Sequence, residues 1–141
     1  MENKKGLRII IAGGRTFSDY EKLKKNCLKI ITEKIKAMGQ SKIDRNLVTI
    51  ISGCAPGADT LGERFSKEFG LQLEKYPANW DRDGRKRAGP MRNQRMADAA
   101  VIDKDNFEPM LIAFWDGESR GTKNMIETAK RKHIETYIVQ C

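Results

Sequence analysis

The sequence predicts one α/β domain, Rossmann-like, with a mainly parallel sheet and helices on both faces. Three observations predict it. Short, nearly continuous apolar runs alternate with stretches of helical period along the whole chain. The first, second and fourth main runs carry no polar alternation, as expected of strands buried on both faces. Glycine-rich segments follow the first, second and fourth runs, and in such sheets ligands bind outside the carboxyl ends of the strands.

Leu7–Ala12 is a β-branched run stopped by Gly13-Gly14, a first strand. Ser18 and Glu21 have capping-box spacing, so a helix is expected from Ser18. Leu23, Cys27, Ile30, Ile31, Ile35 and Met38 continue it at helical period, and Gly39 ends it. A polar connection over 40–46 leads into a second strand, Leu47–Ser52, and then Gly53-Cys54-Ala55-Pro56-Gly57. Ala58, Leu61, Gly62, Phe65 and Phe69 form the next helical stripe, stopped by Gly70. Leu71–Tyr76 is a third strand.

Residues 77–90 read as a long basic loop, with Pro90 at a first helical position and Met91, Arg92, Arg95, Met96 and Ala99 continuing the helix. Val101-Ile102 is either a short strand or the entry to a loop over 103–109. Met110–Trp115 is the fourth main strand, with a loop over 116–121 behind it. Thr122 is the expected N-cap of a helix carrying Met125, Ile126 and Ala129, and Thr136–Val139 is the last strand. No internal repeat or linker interrupts residues 1–141, so a single domain is expected, with residues 1–6 as a leader outside it.

The chain has 141 residues, enough for a hydrophobic core without disulfides or metals. Three cysteines with no C-x-x-C pair and a single histidine, His133, make a zinc site or a Ser-His-Asp triad hard to assemble. No metal and no cofactor is expected. No apolar run has the ~18 residues of a membrane span and the start is polar, so a cytoplasmic protein is expected, with no membrane partner. Twenty-seven Lys and Arg against nineteen Asp and Glu give a net charge of +8, which points to an anionic partner.

Four segments are able to carry chemistry. Gly13-Gly14-Arg15 fits an anion contact, with backbone N–H groups in close approach and a guanidinium beside them; it fits a tight turn equally well. In the segment from Ser52 to Asp59, Gly53 and Gly57 lead to a helix N-terminus that favours phosphate. No Gly-Lys-Ser/Thr closes it, so it is not a Walker A loop. Asp59 either compensates the helix dipole or accepts from a ribose hydroxyl.

Arg82, Arg85, Lys86 and Arg87 read as a solvated or loosely steering surface. Arg92 and Arg95 lie one helical turn apart, able to grip one phosphate, with Asn93 beside them. Trp80 and Trp115 are stacking candidates for a base, as is Tyr76, although each also suits a core. Gly117, Gly121 and Thr122 repeat the glycine-to-helix arrangement after the fourth main strand. Asp59, Asp116 and Glu118 are the candidate catalytic carboxylates. Cys54 has no evident basic partner, and His133 suits a helix-end dipole contact.

Five ordered motifs, I-A-G-G-R-x-F-S-D, S-G-x-A-x-G-A-D, P-A-x-W, A-G-P-x-R-N-x-x-M and G-T-x-x-x-x-x-x-A, run from about Leu7 to Val139. They resemble the YspA-like branch of the SLOG superfamily. That superfamily also holds the Lonely Guy phosphoribohydrolases, the molybdenum-cofactor carrier proteins and the DNA-processing protein DprA. The resemblance implies a Rossmann-like sheet binding a nucleotide or nucleotide-derived ligand, and a homo-oligomer. By the same resemblance Gly13, Gly14 and Arg15 line one loop, and Gly53, Gly57, Ala58 and Asp59 a second. Arg92 and Asn93 face phosphate and sugar, and Gly121 and Thr122 hold another part of the ligand.

One departure bears on activity. Lonely Guy enzymes resemble P-G-G-x-G-T-x-x-E, and here Met125 stands in the glutamate's place. Glu127 lies roughly 200° further round a helix and does not substitute. The expected function is therefore binding by a sensor, carrier or sequestering protein. A phosphoribohydrolase cleaving an N-glycosidic bond is the alternative, and a nucleic-acid-binding module the third.

Overall fold

The computed structural model describes residues 5–42 and 44–141. Five strands form one all-parallel sheet: β1 (Gly6–Gly13), β2 (Val48–Ser52), β3 (Gln72–Lys75), β4 (Phe107–Trp115) and β5 (Glu135–Gln140), in the order β3-β2-β1-β4-β5. Five helices connect them: α1 (Tyr20–Ala37), α2 (Ala58–Glu68), α3 (Trp80–Asp83), α4 (Ala88–Ala100) and α5 (Arg120–Arg131). The strand order runs outward in both directions from the β1–β4 pair, which makes that pair the topological switch point.

Alternate residues of the central strands feed two cores. Ile9, Ile11, Ile50, Ile112 and Phe114 pack with α1 and α2. Ile10, Ala12, Ile51, Leu111 and Ala113 pack with α4 and α5 through Met96, Ala97, Met125, Ile126 and Ala129. Each large aliphatic side chain fully buried this way contributes about 1.5–3 kcal/mol. Both faces of β1 are covered, which is why its sequence reads as one apolar run.

The exception on β1 is Arg8, buried on the central strand. Its Nε donates to the Ala99 carbonyl at 2.9 Å and its Nη2 to Glu74 at 2.6 Å. It thereby ties the carboxyl end of α4 to edge strand β3. The Arg8 guanidinium holds the Glu74 carboxyl below its ordinary range.

Several boundaries differ from the sequence expectation. Asp19, not Ser18, caps α1, its Oδ1 accepting from Lys22 N at 3.0 Å. Tyr20, the first residue of α1, is buried in one stripe with Leu23, Cys27, Ile31 and Ile35, and its hydroxyl donates to Glu68. Thr122 is not the cap of α5 but its third residue, buried, and Ser119 Oγ accepts from Thr122 N. Residues 77–90 are not all loop: Asn79 caps the short α3 through Arg82 N, and Gly84, at φ +81°, closes it.

Pro90 is the third residue of α4, still inside the first turn where no N–H is required. Val101-Ile102 forms a turn, and β4 begins at Phe107 rather than Met110. Of the expected leader, Gly6 belongs to β1 and Lys5 N donates to Gln40 Oε1, while residues 1–4 lie outside the described residues. No helix among the described residues is long and apolar enough to cross a membrane.

Candidate functional site

A cleft of about 270 Å³ opens at the carboxyl end of β1, walled by the starts of α4 and α5. Ala12 and Gly13 supply its base, Arg15 the β1–α1 loop side, and Ala55 and Asp59 the β2–α2 side. The β3–β4 connection adds Trp80, Arg85, Gly89, Pro90, Arg92, Asn93 and Met96. Helix α5 and its cap add Ser119, Gly121, Thr122 and Met125. The site thus lies on the switch-point side of the sheet, where two loops leave adjacent strands in opposite directions.

Arg92 is held at both ends of its guanidinium. Its Nη1 donates to the Gly53 carbonyl at 2.6 Å and its Nε to Asn93 Oδ1 at 3.0 Å. Asn93 is itself buried, and its Nδ2 donates to Asn124 Oδ1 at 2.9 Å and to the Gly121 carbonyl at 3.3 Å. This chain of bonds links the β2–α2 loop, α4 and the start of α5. A guanidinium fixed this way meets an anion with little further loss of side-chain freedom.

Asp59 is 4% exposed, and its Oδ2 accepts from Ala55 N at 3.2 Å. Burial pushes its carboxyl up to about 6, against the opposing pull of that N–H and of Arg92 and Arg15. Burial also draws the Arg92 guanidinium below the ordinary arginine value. A β-carbon on Gly53 would sit 2.8 Å from both Arg92 Nη1 and Asp59 Oδ2. A side chain on Gly53 would therefore collide with both the Arg92 guanidinium and the Asp59 carboxyl, although Gly53 does not line the cleft.

The other glycines divide by role. Gly57, at φ +85°, presses on Gly14 and Arg15, and Ala58 N donates to the Gly14 carbonyl at 3.2 Å. Gly14 N in turn donates to the Phe114 carbonyl at 3.2 Å. These residues stitch the first two loops together, and the first N–H of α2 is spent on that seam. Gly89 and Gly121 are different. Both line the cleft at the second position of a helix, and nothing lies within 4 Å of where a β-carbon would be.

At the mouth Trp80 is 44% exposed, and the Arg15 guanidinium lies 5.9 Å from the centre of its ring. Trp115, by contrast, packs against the α4–α5 core and donates from Nε1 to the Ser119 carbonyl at 3.1 Å. Tyr76 packs against the same core and donates to Glu74.

The cleft brings together Gly13, Arg15, Asp59, Trp80, Arg92, Asn93, Gly121 and Thr122 of the residues singled out in the sequence. Ser52, Gly53, Gly57, Ala58, Gly14 and Gly117 lie outside its lining. Ser52 is buried and its hydroxyl bonds Glu63 at 2.6 Å. Arg95 does not join Arg92: its Nη2 donates to the Pro77 carbonyl at 3.3 Å and its Nη1 lies 4.0 Å from Asp83. Asp116 is a turn residue outside the cleft, its Oδ1 accepting from Glu118 N and Ser119 N at 2.8 Å each. Those bonds hold its carboxyl below the ordinary range, and Glu118 is exposed.

Arg85, Gly89 and Ser119 also line the cleft, and the sequence does not single them out as ligand contacts. Arg85 is legible there only as one of several exposed basic residues, and the Gly84–Gly89 bracket around it is the available signal. Among the described residues no group of three or more His, Cys, Asp or Glu side chains comes together to hold a metal.

A family model described as the YspA, cpYpsA-related SLOG family matches residues 7–82, more than half of the chain. The chain belongs to the YspA, cpYpsA-related SLOG family. The matched residues run from β1 to α3 and include Arg15, Asp59 and Trp80. Among solved structures the chain is similar to the X-ray structure of DNA processing protein A (DprA) from Streptococcus pneumoniae, with a TM-score of 0.65 and 16% identity. That similarity covers 97% of this chain and 51% of the DprA chain, so this chain spans about half the length of that one. It establishes the Rossmann-like fold. No curated protein matches the chain in sequence.

Proposed function

We propose that this SLOG domain binds a nucleotide or nucleotide-derived ligand in the β1 cleft and releases it unchanged, as a sensor, carrier or sequestering protein. SLOG membership and the Rossmann-like fold suggest binding related to nucleotides or nucleic acid. The observation that carries the finer reading is the cleft itself. Arg15, Arg92 and Arg85 reach it from three separate segments, with exposed Trp80 at its mouth for a base. A cleft of this size suits a small ligand better than a polymer.

Met125, 1% exposed, lines the cleft where the resemblance to Lonely Guy enzymes would call for a glutamate, and Glu127 is exposed elsewhere on α5. An apolar thioether offers no proton for N-glycosidic cleavage. The second reading, a phosphoribohydrolase, draws on Asp59, the one carboxylate among the described residues that lines the cleft, whose carboxyl burial raises to about 6.

Ultrafiltration with nucleoside monophosphates, diphosphates, cyclic nucleotides, NAD and ADP-ribose derivatives separates the two. A ligand retained by the protein and recovered intact supports binding. Free base with ribose phosphate in the filtrate, lost on Asp59→Asn, would install the hydrolase instead.

A further inference from the structure

We infer that the cleft takes a ligand bearing two linked phosphoryl groups, a pyrophosphate, rather than a single phosphate. This rests on the nucleotide reading above and adds the phosphate class to it. Three guanidinium residues line the cleft, Arg15, Arg85 and Arg92, against the single carboxylate of Asp59. With Asp59 ionised two positive charges stay uncompensated, and with it protonated three do.

The three arginines form two stations. Arg92 and Arg15 both act on Asp59 and on each other, and Arg92 is anchored to Gly53 and Asn93. Arg85 stands apart, in the link between α3 and α4, with no hydrogen bond or ion pair to any described residue. Its neighbours Arg82 and Arg95 contrast with it, since both reach Asp83.

A single phosphoryl group seated on the inner pair occupies one station only. Arg85 would then face the same cleft with no anion to meet. A second phosphoryl group supplies one. The cleft also has room for it: Gly89 and Gly121, at the starts of α4 and α5, line it without putting a side chain into it. Asp81 and Asp83, the acids nearest in sequence to Arg85, do not line the cleft.

The test is calorimetric titration of the full chain with the four common ribonucleoside 5′-monophosphates and the matching 5′-diphosphates. For the base that binds, the diphosphate is expected to bind about tenfold or more tightly than the monophosphate. Arg85→Ala is expected to weaken the diphosphate more than the monophosphate and erase that preference. Arg85→Lys, which keeps the charge, is expected to retain much of it, and Arg92→Ala to weaken both ligands. Arg85 is exposed and makes no internal bond, so its variants should keep the wild-type circular dichroism. Equal affinity for the two ligands, or a preference that survives Arg85→Ala, would overturn the pyrophosphate assignment and leave nucleotide binding standing. Binding of neither class by the folded chain would overturn both.

Discussion

Arg92 Nη1 lies 2.6 Å from the carbonyl oxygen of Gly53, so an arginine carried by α4 is anchored to the loop that follows β2. The bond crosses from the helix on one side of the cleft to the loop on the other. It fixes the guanidinium where a phosphate would meet it. Arg92→Ala is expected to weaken nucleotide binding about tenfold or more, and Arg92→Lys to rescue little. A lysine has no second nitrogen with which to hold Gly53 and Asn93 together. Titration calorimetry of both variants, with melting temperatures alongside, checks this.

Gly121 and Gly89 separate fold from function. Neither has a positive φ, and a β-carbon at either meets nothing within 4 Å. Gly121→Ala should therefore leave stability unchanged or raise it by about 0.5–1 kcal/mol, since alanine is the better helix former. The added methyl should still weaken ligand binding, because Gly121 lines the cleft. Urea denaturation and a binding titration on one variant measure both.

Gly57→Ala should do the reverse and damage the fold. Gly57 has φ +85° and presses on the Gly14–Arg15 backbone, so the new methyl faces backbone strain and a collision together. A loss of at least about 1–2 kcal/mol is expected from the conformation alone. A lowered urea midpoint checks it.

Asp59 sets a pH dependence. Its folded-state value of about 6 lies above its ordinary 3.8, so the native state holds the proton more tightly than the unfolded chain. The stability tied to this proton is fully present below about pH 4 and is lost as pH rises through 6. The cost of keeping the buried carboxylate ionised near pH 8 is of order 3 kcal/mol. Asp59→Asn should be the more stable protein near pH 8, and its advantage should vanish below about pH 4. Urea midpoints of both proteins across that range show it.

Trp80 should report occupancy. It is exposed at the cleft mouth, whereas Trp115 is tied to Ser119 within the fold. A bound base is expected to change tryptophan emission in the wild type and not in Trp80→Phe.

The three central strands were legible as continuous apolar runs because both their faces are buried, and the four longer helices because their buried residues recur at helical period. Ile9, Ile10 and Ile11 read as one run because alternate side chains enter separate cores. What escaped the sequence was decided by one or two local bonds. Asp19 displaced Ser18 as the cap of α1 because its carboxylate accepts from Lys22 N, and Ser119 displaced Thr122 because its hydroxyl accepts from Thr122 N. The candidate site was legible as loops rather than as contacts. Glycine content marks close approach but not of what: Gly57 approaches Gly14, Gly53 makes room for Arg92 and Asp59, and Gly121 faces open space. Helical spacing put Arg92 and Arg95 on one face, yet Arg95 turns to Pro77 and Asp83, acceptors supplied by the β3–α4 connection.

The most direct measurement is equilibrium dialysis of the nucleotide panel against wild type and an Arg15→Ala/Arg92→Ala variant, both shown to be folded. The account predicts one nucleotide-derived ligand that saturates the wild type at one site per chain and is recovered intact. It predicts that the variant loses most of that binding. A panel that binds neither protein, or binds both alike, would contradict it.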